Sequence, residues 1–65
     1  MRATRQVMID SLGTVFSLGD TISSGVILRD YTTDGKVVFV EIGEQGALVK
    51  RRAEDYGLRL AEVPL

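Results

Sequence analysis

The chain has 65 residues, no cysteine and no histidine, and its eight lysines and arginines stand against nine acidic residues, giving a net charge of −1. This composition excludes a disulfide-stapled scaffold and a zinc site built on thiolate or imidazole ligands. It also excludes a polycation, so that any binding of nucleic acid would need a local basic patch.

A chain this short forms a thin core, because about 60% of its unfolded surface can be buried on folding. Small domains usually offset that deficit with disulfides, metals or oligomerisation. With the first two disfavoured by composition, oligomerisation or unusually tight packing remains, and we expect a homo-oligomer or a subunit of a larger assembly. The sequence contains neither a signal-peptide apolar stretch nor a run of about 20 apolar residues. We therefore expect a cytoplasmic protein with no membrane association.

The N-terminal half begins with a weakly alternating segment, Arg2 to Ile9, which predicts a strand. Residues 10–20 resemble a loop, whose apolar side chains we expect to contact the core: Leu12, Val15, Phe16 and Leu18.

The next predicted strand runs from Thr21 to Tyr31. Ile22, Val26 and Leu28 would form its inward face. Gly25 lies inside this segment, and a glycine within a strand indicates a bulge or sharp bend.

The strongest strand signal is Lys36 to Ile42, which is β-branched and aromatic and is bounded by Gly35 and Gly43. Alternation places Val38, Val40 and Ile42 on one face and Val37 and Phe39 on the other. The preceding Asp34-Gly35 pair favours a tight turn.

A second turn at residues 43–46 leads to a predicted strand from Ala47 to Ala53, although residues 47–56 also favour a helix. A turn at residues 54–57 follows, and a helical turn near 53–57 is compatible with the pattern. The alternating segment from Leu58 to Val63 predicts a last strand, with Leu58 and Leu60 inward.

Together these elements predict a single all-β domain over residues 1–65. Five strands with a bend at Gly25 favour a small five-stranded antiparallel barrel or a strongly bent sheet, of the SH3-like or OB-like kind.

The sequence offers little for catalysis, because the usual general base and the best nucleophile are missing. The simplest role for Asp10, Asp20, Asp34 and Asp55 is turn formation. A hard-cation site made of Asp30, Asp34 and Glu41, or a carboxylate-based enzyme, is the weakest alternative. We expect no catalytic residue, no metal site and no cofactor.

One local concentration of positive charge is present, at Lys50, Arg51 and Arg52. If other cations lie nearby, they would form a face suited to phosphates, and an adjacent tyrosine could stack on a base. The other interpretation is a solvated strand edge neutralised by Glu54 and Asp55. The residues of this candidate nucleic-acid site are Arg2, Arg5, Lys50, Arg51, Arg52, Arg59 and Tyr56.

The second face of the central strand predicts an apolar patch of Ile27, Tyr31, Val37 and Phe39. Exposed apolar patches usually mark interfaces, whereas in a closed barrel the same residues would be core. The leading hypothesis is a non-enzymatic interaction module, a small regulatory or assembly protein that binds a protein partner through a homo-oligomeric β-surface. A nucleic-acid-binding small barrel is the alternative.

Overall fold

The computed structural model describes residues 3–65, which form seven strands and one 3₁₀ turn. Every strand pairing is antiparallel, and the predicted all-β class is confirmed. In chain order the elements are β1 (Thr4–Ile9), β2 (Val15–Phe16), β3 (Thr21–Ser23), β4 (Val26–Tyr31), β5 (Val37–Ile42), β6 (Ala47–Arg52), the 3₁₀ turn (Ala53–Tyr56) and β7 (Arg59–Pro64). No helix in this part of the chain is long and apolar enough to cross a membrane.

The strands form two sheets, one with the order β2-β1-β7 and one with the order β3-β4-β5-β6. The first and last strands are therefore neighbours, with Thr4 opposite Pro64 and Ile9 opposite Arg59. Within residues 3–65 the sheets do not close into a barrel, and the prediction of five strands in one barrel or one bent sheet is wrong. The reason is that neither β2 nor β7 pairs with β3 or β6, so each sheet keeps two edge strands.

The predicted continuous strand from Thr21 to Tyr31 is two strands. Ser23 lies opposite Val26, so residues 24 and 25 form the turn of a short hairpin. Gly25 has a φ of +71°, which favours glycine, and it therefore reverses the chain instead of bending a single strand.

The core lies between the two sheets and follows the predicted alternation. Val26 and Leu28 of β4, Val38 and Val40 of β5, and Leu58 are buried, as predicted. Ile22, Ile42 and Leu60 are half-buried and pack against this cluster, also as predicted. The other buried members of the cluster are Met8 and Ala53.

The connection between β1 and β3 differs from the prediction. Leu12, Val15 and Leu18 are 89%, 42% and 54% exposed, and only Phe16 packs against the core. The register explains the difference within β2: Phe16 lies opposite the buried Met8, so alternation directs the neighbouring Val15 to the other face. The prediction that all four residues contact the core is wrong for three of them.

The chain passes from β6 to β7 through the 3₁₀ turn, which confirms the helical turn predicted near residues 53–57. Gly57 ends it in the left-handed conformation, with a φ of 66°. The Ala53 backbone N–H donates to the Lys36 carbonyl at 2.8 Å. This bond fixes the 3₁₀ turn against the connection between β4 and β5.

Candidate interaction surface

The four-stranded sheet has one face on the core and one face turned away from it, which we call the outer face. Glu41 lies opposite both Ile27 and Leu48, and Phe39 lies opposite Lys50. Because side chains opposite each other share a face, these residues lie side by side. The apolar members of the outer face are Ile27, Val37, Phe39 and Leu48.

Three of the four residues of the predicted interface share this face, and the fourth does not. Ile27, Val37 and Phe39 are half-buried on the outer face. Tyr31 lies opposite the buried Val38 and packs against the core. A register shift between Leu28 and Asp30 is the cause, because one extra residue reverses the alternation.

The exposed Leu48, which the sequence analysis did not single out, completes the apolar part of the outer face. It is 65% exposed, while Phe39 and Ile27 are partly covered by their neighbours in the sheet. The available signal in the sequence was alternation along β6, which places Leu48 on the same face as Lys50 and Arg52.

Charged side chains lie among these apolar residues: Glu41 separates Ile27 from Leu48 across the sheet. Arg29 contacts Glu41 at 3.2 Å, and both side chains are partly exposed. Arg52 contacts Glu54 at 2.9 Å and Asp55 at 3.1 Å. Exposed pairs of this kind contribute about 0–1 kcal/mol each, so they orient the side chains more than they stabilise the fold.

The predicted basic residues do not form one patch. Lys50 and Arg52 are on the outer face, and Arg51, opposite the buried Val38, is on the other side of the same strand. Arg52 already has two carboxylate partners, as the edge-strand interpretation expected.

The remaining members of the predicted nucleic-acid site are dispersed. Arg5 lies opposite Val63, and Arg59 lies opposite Ile9, roughly 13 Å further along β1 at about 3.3 Å per residue. Tyr56 is half-buried and packs against the core. Arg2 lies outside the described residues.

A groove of about 720 Å³, open along one side, lies beside the outer face. It is formed by the connection between β4 and β5, the start of the 3₁₀ turn and the start of β7. Its apolar lining consists of Val37, Ala53, Leu58 and Leu60, and its charged lining consists of Asp34, Lys36, Arg52, Glu54 and Arg59.

The cations of the groove come from three separate segments of the chain. Arg52 and Arg59 were predicted as members of a basic site, and the structure brings these two together. Lys36 was not predicted as part of a basic site, because no other basic residue lies near it in the sequence. Its backbone carbonyl accepts a hydrogen bond from the Ala53 N–H, and this bond places Lys36 beside the groove. Within residues 3–65, Lys36 and Arg59 have no carboxylate at ion-pair distance.

The Asp34 carboxylate stabilises the turn between β4 and β5, which forms one wall of the groove. Its Oδ1 accepts a hydrogen bond from the Thr32 hydroxyl at 2.6 Å and another from the Lys36 backbone N–H at 3.0 Å. These bonds, the hydroxyl first, lower the pKa of Asp34 from its ordinary value. Asp34 is thus a turn residue, as the sequence predicts, and it carries its negative charge into acidic solution.

The acidic residues proposed as a metal site have separate partners. Asp30 accepts from the Tyr31 backbone N–H, Asp34 holds its own turn, and Glu41 pairs with Arg29. Residues 3–65 contain no group of three or more acidic side chains arranged to hold a metal ion.

The interpretation of function depends on the outer face and on the groove beside it, because both present apolar and charged side chains together. We compared the chain with protein-family models, with curated proteins and with solved structures. None of the three comparisons finds a match.

Proposed function

We propose that this chain is a non-enzymatic interaction module, a small regulatory or assembly protein of the cytoplasm that self-associates through the outer face and binds a protein partner. The observation that carries this proposal is the position of Phe39. It lies in β5, one of the two central strands of the four-stranded sheet, and its half-buried ring is on the outer face, with Asp30 and Lys50 opposite it and Val37 two residues away on the same face.

The balance between the two faces of the sheet supports self-association. The inner face supplies four of the buried core residues, Val26, Leu28, Val38 and Val40. The outer face still presents Ile27, Val37, Phe39 and Leu48. Apolar patches surrounded by polar residues are typical of protein interfaces, and association would supply stability that a 65-residue chain obtains with difficulty.

We further propose that the domain is of the SH3-like kind. Two features support this choice over the OB-like kind, which is a Greek-key barrel. β3 to β6 follow one another as a meander, and a 3₁₀ turn precedes the last strand, which returns to pair with β1.

Binding of nucleic acid receives less support from the geometry. Arg51 and Arg5 are separated from the cations of the outer face, and Arg52 is paired with two carboxylates. A phosphate backbone requires a continuous series of cations. A small mass increase with a DNA oligonucleotide at low salt would nevertheless favour this alternative over the proposal.

The proposal is tested by measuring solution mass by light scattering over a hundredfold range of concentration. Leu48→Glu and Phe39→Glu each place a charge in the proposed interface, and we expect both variants to be monomers at concentrations where the parent chain is an oligomer. Leu48 is the safer site, since its side chain is mostly exposed and its replacement leaves the core intact.

Leu12→Glu is the matched control, because it exchanges an equally apolar, exposed residue on the other sheet's connection. This variant should keep the mass of the parent. A parent chain that is monomeric throughout, or a Leu48→Glu variant with unchanged mass, would overturn the proposal.

A further inference from the structure

We propose that the groove beside the outer face binds an extended segment of a partner protein in which carboxylate side chains alternate with apolar ones. This inference rests on the proposed function in one respect: it assigns the partner's binding site within the interaction module. The groove shares Val37 and Arg52 with the outer face, but Phe39 and Leu48 do not line it, so substitutions at these two residues test self-association separately from partner binding.

The volume of the groove fits a peptide segment. Ligand sites in proteins are usually clefts of about 300–1,000 Å³ with an apolar lining and a few polar groups, and this groove is about 720 Å³. Its apolar floor is formed by Ala53, Leu58 and Leu60. Ala53 and Leu58 belong to the core, so the floor is a rigid part of the fold.

The wall that carries Gly35 is packed directly against the floor at Leu60, which fixes the position of the two relative to each other. Gly35 is buried against Leu60, and a Cβ built on this glycine would be 2.5 Å from the Leu60 Cβ. The hydrogen bond from the Ala53 backbone N–H to the Lys36 carbonyl joins the same wall to the floor at a second point. The groove is therefore preformed, which lowers the entropic cost of binding.

The charges of the groove select an acidic ligand. Arg52 is bound to Glu54, and the Asp34 carboxylate accepts hydrogen bonds from Thr32 and Lys36. Lys36 and Arg59 have no ion-pair partner within residues 3–65. These two cations, set above an apolar floor, are complementary to carboxylates that flank an apolar side chain.

The same arrangement disfavours a nucleic acid in the groove. Asp34 and Glu54 interrupt the series of cations, and a polynucleotide carries a charge on every phosphate. A peptide with separated carboxylates can place its apolar side chains on Leu58 and Leu60 and avoid both acidic residues.

The experiment uses a capped synthetic peptide of alternating glutamate and leucine, with a glutamine-leucine peptide of equal length as the comparison. Binding is measured by calorimetry, and the site is mapped by amide chemical shifts of the full chain. We expect shifts at Gly35, Lys36, Leu58, Arg59 and Leu60, and binding about tenfold weaker for the glutamine peptide, which corresponds to about 1.4 kcal/mol.

The double variant Lys36→Gln/Arg59→Gln should weaken binding of the acidic peptide about tenfold. Its matched control, Arg5→Gln/Arg51→Gln, removes the same net charge from exposed residues outside the groove and should bind like the parent. Equal losses in both variants, shifts elsewhere on the surface, or no binding at millimolar peptide would overturn the proposal.

A single-stranded DNA oligonucleotide forms a further arm of the experiment. Weaker binding than that of the acidic peptide, with no shifts in the groove, supports the proposal, and tighter binding in the groove overturns it.

The Leu48→Glu variant separates the two proposals. If the variant is monomeric and still binds the peptide, the groove binds its ligand independently of self-association. If the parent chain does not self-associate, the peptide measurement still tests the groove.

Discussion

The Tyr31 hydroxyl donates a hydrogen bond of 3.1 Å to the backbone carbonyl of Gln6 and so joins the end of β4 to β1. The bond connects the two sheets, since β4 belongs to one and β1 to the other. It exists because the register shift after Leu28 turns Tyr31 toward the core side of its sheet.

Removal of this hydroxyl should lower stability without disturbing packing. For Tyr31→Phe we expect a loss of about 1 kcal/mol in the free energy of unfolding, the usual value of one hydrogen bond. In a chain of this size that loss corresponds to a fall of about 4–8 °C in Tm. Urea denaturation followed by circular dichroism provides the measurement.

Tyr56→Phe is the control for this experiment. Tyr56 also packs against the core, but its hydroxyl makes no hydrogen bond to any residue from 3 to 65. Its replacement should change the free energy of unfolding by less than about 0.5 kcal/mol. Equal effects of the two substitutions would show that the Tyr31 bond does not contribute to stability.

The contact between Gly35 and Leu60 predicts a large effect of a single methyl group. Gly35→Ala should cost about 2–4 kcal/mol, because alanine is strained at a φ of +71° and its Cβ would overlap the Leu60 Cβ. Gly43 has a similar φ of +77°, but a Cβ at this position would have no other atom within 4 Å. Gly43→Ala should therefore cost only about 1–2 kcal/mol.

The difference between these two glycine variants isolates the steric contribution, because the backbone contribution is similar in both. Thermal or urea unfolding of the two proteins measures it. If Gly35→Ala is no less stable than Gly43→Ala, the wall of the groove is not packed against β7 as described.

Asp34 makes stability depend on pH in the acidic range. Its pKa is lower in the folded chain than the ordinary value of 3.8, with the Thr32 hydroxyl as the main cause. The ionised carboxylate therefore stabilises the folded state fully above pH 3.8, and this contribution disappears as the pH falls through the lowered pKa. The stability difference between the parent and Asp34→Asn should accordingly be largest near neutral pH and shrink in acid.

A direct titration of Asp34 by NMR complements the unfolding measurements. Thr32→Val removes the hydroxyl that is the largest single cause of the lowered pKa, and the pKa of Asp34 should rise toward 3.8. Thr33→Val, at the next position in the same turn, should leave it unchanged. A stability difference that is constant across the pH range, or an unchanged pKa in Thr32→Val, would contradict this account.

The exposed side chains between β1 and β3 should be nearly neutral for stability. Leu12→Ser and Leu18→Ser should each change the free energy of unfolding by less than about 0.5 kcal/mol. Phe16→Ala, which removes a half-buried ring from the core, should cost about 1–3 kcal/mol, less than the roughly 3–5 kcal/mol typical of a fully buried phenylalanine. Comparable losses for Leu18→Ser and Phe16→Ala would place Leu18 in the core.

The sequence was most informative where strands alternate without interruption. Val38 and Val40 are buried, and Val37 and Phe39 are half-buried on the opposite face. The pattern of β5 predicts this division between two faces. The prediction was wrong where one residue changes the register. The shift after Leu28 moved Tyr31 off the predicted interface, and nothing in the local composition distinguishes such a shift from regular alternation.

The candidate site could be predicted only in part for a related reason. Within β6, alternation places Arg51 on the face opposite to that of Lys50 and Arg52. The groove, however, combines Lys36 with Arg59, which are distant in the sequence and come together through the 3₁₀ turn and its bond to the Lys36 carbonyl. Such a combination depends on tertiary structure and leaves no periodic pattern.

The pairing of β1 with β7 sets an order of events during synthesis of the chain. The hairpins from β3 to β6 join neighbouring segments and can form as soon as these segments leave the ribosome, because short loops close at little entropic cost. Thr4, by contrast, pairs with Pro64, so β1 cannot complete its pairing until β7 has been synthesised. We expect β1 to remain without its β7 partner until residues 59–64 have been synthesised, so the nascent chain exposes the core side of the four-stranded sheet until β7 pairs with β1.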